Sequence, residues 1–191
     1  MPPIPAEQSF ITADEYLVAE ASRVYKHEYV DGEVFPMAGA SDAHVTVGGN
    51  IFAALKAHLR GSDCRVFIAD MKLRIDASNA YFYPDVFVSC GEAAQQGTAV
   101  KYDALLVVEV LSPTTAAFDR GAKFAHYRQL PGLHEYMVVD IETRSVDLYR
   151  KGSDGFWVLH PYADNDTAEL ASVGLELPLA TVVFEDVAVA V

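Results

Sequence analysis

Cysteine is scarce in this chain: its 191 residues include two, Cys64 and Cys90. Two isolated thiols build neither a disulfide framework nor a zinc site, and they read as free thiols of a reducing cytosol. Long apolar runs are missing too. No segment approaches the roughly 20 uninterrupted apolar residues that a membrane span needs, so no membrane association is expected. The start, Met1-Pro2-Pro3-Ile4-Pro5, has no basic stretch followed by an apolar one. No secretory signal is expected there, and the cytoplasm is the expected location. There is no internal repeat, low-complexity tract or linker. Basic residues are outnumbered, with 14 Lys and Arg against 27 Asp and Glu and a formal net charge of -13. That balance helps solubility and opposes non-specific attraction to polyphosphate. A polyanionic partner would need a local basic surface, for which Lys101, Arg120, Lys123, Arg128, Arg144, Arg150 and Lys151 are available in the second half.

What is present suits one globular domain, 1–191, with 51% hydrophobic residues. Thr12-Ala13-Asp14-Glu15 has capping-box spacing and predicts a short helix, roughly Ala13 to Ser22. Asp31-Gly32, near the middle of Tyr25 to Met37, predicts a hairpin, because both central residues of a type I′ turn need positive φ. Ser41 reads as the N-cap of a second helix ending near Leu59, with Val47, Ile51, Leu55 and Leu59 in one stripe. Gly48 and Gly49 weaken that helix and suggest a close backbone approach. Val66 to Ile75 and Tyr81 to Ser89 read as strands. Leu105 to Leu111 reads as a strand buried on both faces and stopped by Pro113. A helix from about Thr115 to Gln129 and a strand from Glu135 to Val139 complete a βαβ unit with parallel strands. Ser145 to Arg150 and Phe156 to His160 predict a further hairpin, and the tail from Leu170 has no clear pattern.

Glu109 is the most informative residue. A carboxylate inside a doubly buried strand is costly without a partner, and the bland alternative is a structural ion pair or a protonated acid. Asp85 follows Pro84 at an expected strand start, where a turn or cap role is the alternative. If its strand pairs with that of Glu109, the two acids meet and call for a hard cation, Mg²⁺ or Mn²⁺. Asp119, Lys123 and Tyr127 share one face of the crossover helix. Lys123 is therefore either a helix salt-bridge partner or a cation delivered to the acids. Glu33, just past the Asp-Gly turn, is a solvated hairpin residue or a third acidic ligand. His44 reads as a surface or capping residue, and Ser112 and Thr114 as turn and helix-start residues.

Pro84-Asp85, then Leu106 to Thr114 around Glu109, then Asp119 to Lys123 and Tyr127, then Glu135 to Asp140, together resemble the Uma-two endonuclease family. This large bacterial family, abundant in cyanobacteria and formerly a domain of unknown function, belongs to the restriction-endonuclease-like PD-(D/E)XK superfamily. Tyr29 to Glu33, Met37, Ser41 and His44 are similar to its N-terminal signature, and the resemblance spans about Tyr16 to Lys151. It implies an α/β core, with a mixed central β-sheet flanked by helices and an N-terminal helix and hairpin. It further implies Asp85 and Glu109 as ligands of Mg²⁺ (or Mn²⁺), Glu33 as the N-terminal acid and Lys123 as the site cation. The superfamily lysine, two residues after the second acid, is here Leu111. The expected activity is metal-dependent endonucleolytic hydrolysis of nucleic acid, DNA foremost, and a homodimer is compatible with it. Two alternatives stay open: an inactive nuclease fold serving as an interaction or regulatory module, and a metal-dependent hydrolase of small phosphoesters.

Overall fold

The computed structural model describes residues 10–37, 39–112 and 116–187. Thr12 caps helix α1 (Ala13–Glu20), and the reciprocal Thr12–Glu15 hydrogen bonds of a capping box are both made. The hairpin follows as β1 (His27–Val30) and β2 (Glu33–Pro36), with Asp31 at φ 45° and Gly32 at φ 100°. Ser41 caps α2 (Asp42–His58), whose Val47, Ile51 and Leu55 are fully buried. Among the described residues no atom outside the helix lies within 4 Å of where a Cβ on Gly48 or Gly49 would sit, so none of them makes the close approach expected there. Gly49→Ala is expected to stabilise the fold by about 1 kcal/mol through helix propensity, as urea unfolding would report.

The two central segments each split. The first becomes β3 (Arg65–Ile68) and β4 (Lys72–Ile75); the second becomes β5 (Ala80–Phe82) and β6 (Val86–Ser89). Ala69, at φ 47°, breaks the first, and Pro84-Asp85 the second. Each break moves the chain from one sheet to another. A short helix α3 (Gly91–Gln95) and β7 (Val100–Lys101) lead to β8 (Leu106–Val110). A helical segment α4 (116–127) and β9 (Glu135–Asp140) complete the crossover, and β8 and β9 are parallel as expected. The strand stop at Pro113 and the helix start at Thr114 and Thr115 lie outside the described residues. Strands β10 (Ser145–Lys151) and β11 (Trp157–Tyr162) form the expected hairpin. The tail forms a second one, β12 (Thr167–Leu170) with β13 (Leu175–Pro178), and then a π turn at Leu179–Val183.

Apart from the two-stranded β12-β13 hairpin, one sheet has strand order β2-β1-β5-β4-β7 and the other β11-β10-β9-β8-β6-β3. The six-stranded sheet has a core on each face, as the all-apolar strands demand. Val86, Val88, Leu106, Val108 and Val110 pack with α2 and the C-terminal hairpin. The alternate residues Phe87, Val107, Tyr136 and Val138 pack with Tyr127 of α4 and with Leu73, Ile75 and Phe82 of the five-stranded sheet. Strand alternation therefore puts Glu109, next to Val108 and Val110, on the face toward α4 and the smaller sheet.

Cys64 and Cys90 form a disulfide, which corrects the expectation of free thiols. The register pairing Arg65 with Ser89 continues to these two residues and sets them directly opposite each other at the end of β3 and β6. No helix among the described residues is long and apolar enough to cross a membrane.

Candidate active site

The site lies where the two sheets meet. The register pairing Val86 with Val108 continues to Asp85 opposite Glu109. Asp85 sits in a bend rather than in the ladder, and its Oδ2 accepts the N–H of Val110 at 2.8 Å. His44, from the first turn of α2, places Nε2 3.3 Å from the same Oδ2. The hydrogen bond and charge of Asp85, opposed by burial, raise the His44 imidazole above its ordinary value of 6.5.

Glu109 is 3% exposed. Its Oε1 accepts from the Tyr127 hydroxyl at 2.7 Å and lies 3.0 Å from the ammonium of Lys123. Lys123 is also 2.9 Å from Glu28 and 3.6 Å from Asp119. Its segment of α4, Asp119–Lys123, is a π turn. This wider winding is frequent at functional sites, and here it presents Asp119 and Lys123 to one pocket of charge. The hydroxyl of Tyr136 holds the turn by donating to the carbonyl of Asp119 at 2.8 Å.

The cluster holds more negative than positive charge. Asp85, Glu109, Glu28 and Asp119 face one buried ammonium and one imidazole. Burial, with the repulsion of Asp85, Asp119 and Glu28, raises the Glu109 carboxyl to about 8 against the pull of Lys123. Burial also opposes charge on Lys123, but Glu109, Glu28 and Asp119 together outweigh it and keep the ammonium protonated. The Tyr127 hydroxyl is held well above its ordinary value by burial and then by Glu109. In the folded chain Glu109 thus keeps its proton up to about pH 8, against 4.5 ordinarily. Between those values the folded state binds more protons than the unfolded one, so stability falls as pH rises. The thermal midpoint of the chain in chelator is expected to drop across this window, and Glu109→Gln should flatten the drop. A midpoint of identical pH dependence in both would show that Glu109 titrates normally.

Asp85, Glu109 and Lys123, predicted from sequence, are therefore brought together. Glu33 is not. It lies on β2 opposite Val30, and among the described residues no ion pair or hydrogen bond joins it to the cluster. The acid that reaches Lys123 from the hairpin is Glu28, on β1. Glu28 and Asp119 were missed as members of the site, and only Asp119 left a signal, its shared helix face with Lys123. His44 is no mere surface residue, since it holds Asp85. Of the other cations considered, Arg120 is engaged by Asp140 at 3.1 Å and Asp147 at 3.5 Å.

Glu135 provides a contrast. It is a fully buried acid in an apolar strand, and Arg150, Ser172 and two backbone amides satisfy it. Its role is to hold the turn after β12. Glu109 lacks such a full complement, because its one ammonium is shared with two other acids.

Among the described residues no group of three or more His, Cys, Asp or Glu side chains is arranged to hold a metal ion. Mg²⁺, however, commonly takes one or two carboxylates and completes its shell with water. Asp85 and Glu109, two hard oxygen donors opposite each other in a cluster short of positive charge, fit that demand.

Comparison with known proteins bears on the family and the fold. The chain is similar to two proteins of Synechocystis sp. (strain PCC 6803), each described as an uncharacterized protein. One, slr1290, is 38% identical over 165 residues, covering 86% of this chain and 87% of its own. The other, sll1609, is 36% identical over 156 residues, covering 81% and 88%. The fold is shared with a crystal structure from Anabaena variabilis described as "a putative nuclease belonging to DUF820". That similarity has a TM-score of 0.77 at 15% identity and covers 91% of this chain and 97% of the other. Residues 13–180 match the family Uma2, described as "Putative restriction endonuclease". The chain belongs to the Uma2 family and has its nuclease-like α/β fold.

Proposed function

We propose that this protein is a metal-dependent endonuclease that hydrolyses phosphodiester bonds of nucleic acid, DNA foremost. The observation that carries the reading is the charge imbalance around Glu109. Three carboxylates, Glu28, Glu109 and Asp119, share one buried ammonium, a fourth, Asp85, stands opposite Glu109, and burial together with these neighbouring acids raises the Glu109 carboxyl to about 8. A Mg²⁺ or Mn²⁺ ion held by Asp85 and Glu109 would offset charge on the phosphate and make a water more acidic.

The chain's own residues prepare that chemistry. His44 and the Val110 amide fix the carboxylate of Asp85. Tyr127 and Lys123 fix Glu109 at one oxygen. Lys123 is itself oriented by Glu28 and Asp119, and its ammonium provides fixed positive charge where negative charge develops on the phosphate. It takes the place that Leu111 leaves without a cation.

The net charge of -13 is the observation that favours a non-catalytic module instead. Incubating the purified chain with plasmid DNA and Mg²⁺ or Mn²⁺ separates the readings. Nicked or linear product supports the nuclease; untouched plasmid with both ions overturns the assignment of duplex DNA as substrate, and inertness toward single-stranded DNA and RNA as well overturns the nuclease. A small chromogenic phosphodiester should be a poor competitor of the plasmid, and strong competition would assign the site to small phosphoesters.

A further inference from the structure

A pair of lysines stands near Asp85, over the ring of Tyr83. The register pairing Leu73 with Phe82 continues to Lys72 opposite Tyr83. Lys72 Nζ lies 5.2 Å from the centroid of the Tyr83 ring and Lys26 Nζ 5.6 Å from the same centroid. Tyr83 is buried and fixed by its hydroxyl, which donates to Glu20 at 3.1 Å. The ring is thus a rigid platform under two ammonium groups. Ala69 ties them to the acid site: its N–H donates to the carbonyl of Asp85 and its own carbonyl accepts from Lys26, each at 3.1 Å. Burial lowers the Lys26 ammonium and Lys72 repels it, while Asp85 and Glu20 pull it up.

Two like charges on one ring are costly unless an anion joins them. Among the described residues Lys72 makes no salt bridge, and Lys26 is paired with Asp70. The Asp70 side chain is 82% exposed and that of Lys26 is 40% exposed. So open a pair is weak and screened, and a stronger polyvalent anion can displace the carboxylate.

We propose that Lys26 and Lys72 bind a backbone phosphate of the nucleic-acid substrate, beside the one to be hydrolysed, with Asp70 occupying the lysines when substrate is absent. This rests on the nuclease reading above. It also explains how a chain so acidic can hold a polyanion: the contact is local and built next to Asp85.

Fluorescence anisotropy of a labelled DNA oligonucleotide, with Ca²⁺ in place of Mg²⁺, tests it across a salt series. The Lys26→Ala, Lys72→Ala double variant should bind about tenfold more weakly, a loss of one charge-assisted contact. Its slope of log affinity against log salt should shrink by about 1. Asp70→Asn should bind more tightly than wild type, a gain that misfolding cannot mimic. If the double variant matches wild type in affinity and slope while wild type cleaves plasmid, the subsite is overturned and the nuclease reading stands. If wild type neither binds nor cleaves, both fall. Displacement of the oligonucleotide by micromolar inorganic phosphate would overturn the backbone assignment in favour of a free-phosphate site.

Discussion

Replacing Lys123 with alanine should both destabilise the chain and stop turnover. The substitution leaves the buried Glu109 and Asp119 and the partly buried Glu28 without their shared ammonium. Breaking a buried ion pair from one side typically costs roughly 3–5 kcal/mol. The lower end, about 3 kcal/mol, is expected here, because Glu109 already carries its proton at neutral pH and Glu28 is partly exposed. Cleavage should fall by about 10²–10³, the range for losing one fixed positive or donor group at a developing oxyanion. Urea unfolding and cleavage rates measured together would check both. The double variant Lys123→Met, Glu28→Gln should recover much of the stability and none of the rate. Lys123→Arg should restore little, since a planar guanidinium does not replace a compact ammonium held by three carboxylates. An alanine variant that cleaves as fast as wild type would reduce Lys123 to a structural cation.

Asp85→Asn carries the second large effect. The amide oxygen of Asn can still accept the Val110 N–H, so the bend and the fold should persist. What is lost is the charge, and with it one of the two proposed carboxylate ligands. Calorimetric titration should show much weaker Mg²⁺ and Mn²⁺ affinity. Cleavage should fall by about a thousandfold, the rate equivalent of several kcal/mol of charge stabilisation. The metal-free thermal midpoint should hold or rise, because Asp85 repels Glu109. Equal metal affinity in variant and wild type would remove Asp85 from the site.

Much of this molecule is legible in its sequence, for physical reasons that differ from element to element. The capping box at Thr12, the Asp31-Gly32 turn and the Val47 stripe are local signals, complete within a few residues, and each element forms where expected. The βαβ unit is legible because a strand apolar on both faces must be covered on both. Glu109 is legible because it interrupts such a strand. The split of 66–75 and 81–89 into four strands is not. Alternation continues across Ala69 and Pro84 whether the chain stays in one sheet or passes to the next, since either sheet buries one face. Glu28 is hidden for a related reason. A glutamate in a short hairpin looks solvated until a lysine 95 positions later arrives against it. Glu33, nearer the turn, sits on the edge strand. The disulfide was hidden because only the β3–β6 register sets Cys64 and Cys90 side by side.

The π turn at Asp119–Lys123 also escapes periodicity. Spacing of i and i+4 places Asp119, Lys123 and Tyr127 on one helix face, and that inference holds in outline. The widened turn lets Lys123 meet Glu28 and Glu109 while still reaching Asp119. A stable α-helix with a salt bridge on its surface would have satisfied the same sequence pattern. Tertiary packing, with Tyr136 bonded to the Asp119 carbonyl, decides between them.

In the proposed mechanism a cation at Asp85 and Glu109 drives hydrolysis of nucleic acid. One assay tests it most directly: cleavage of single-stranded DNA, duplex DNA and RNA by wild type and Glu109→Gln, each with Mg²⁺, with Mn²⁺ and with chelator. Wild type is expected to cleave at least one substrate, DNA foremost, in the presence of either metal, with no cleavage by wild type in chelator or by the variant. A folded wild type inert toward every substrate, or a Glu109→Gln variant that cleaves at the wild-type rate, would contradict it.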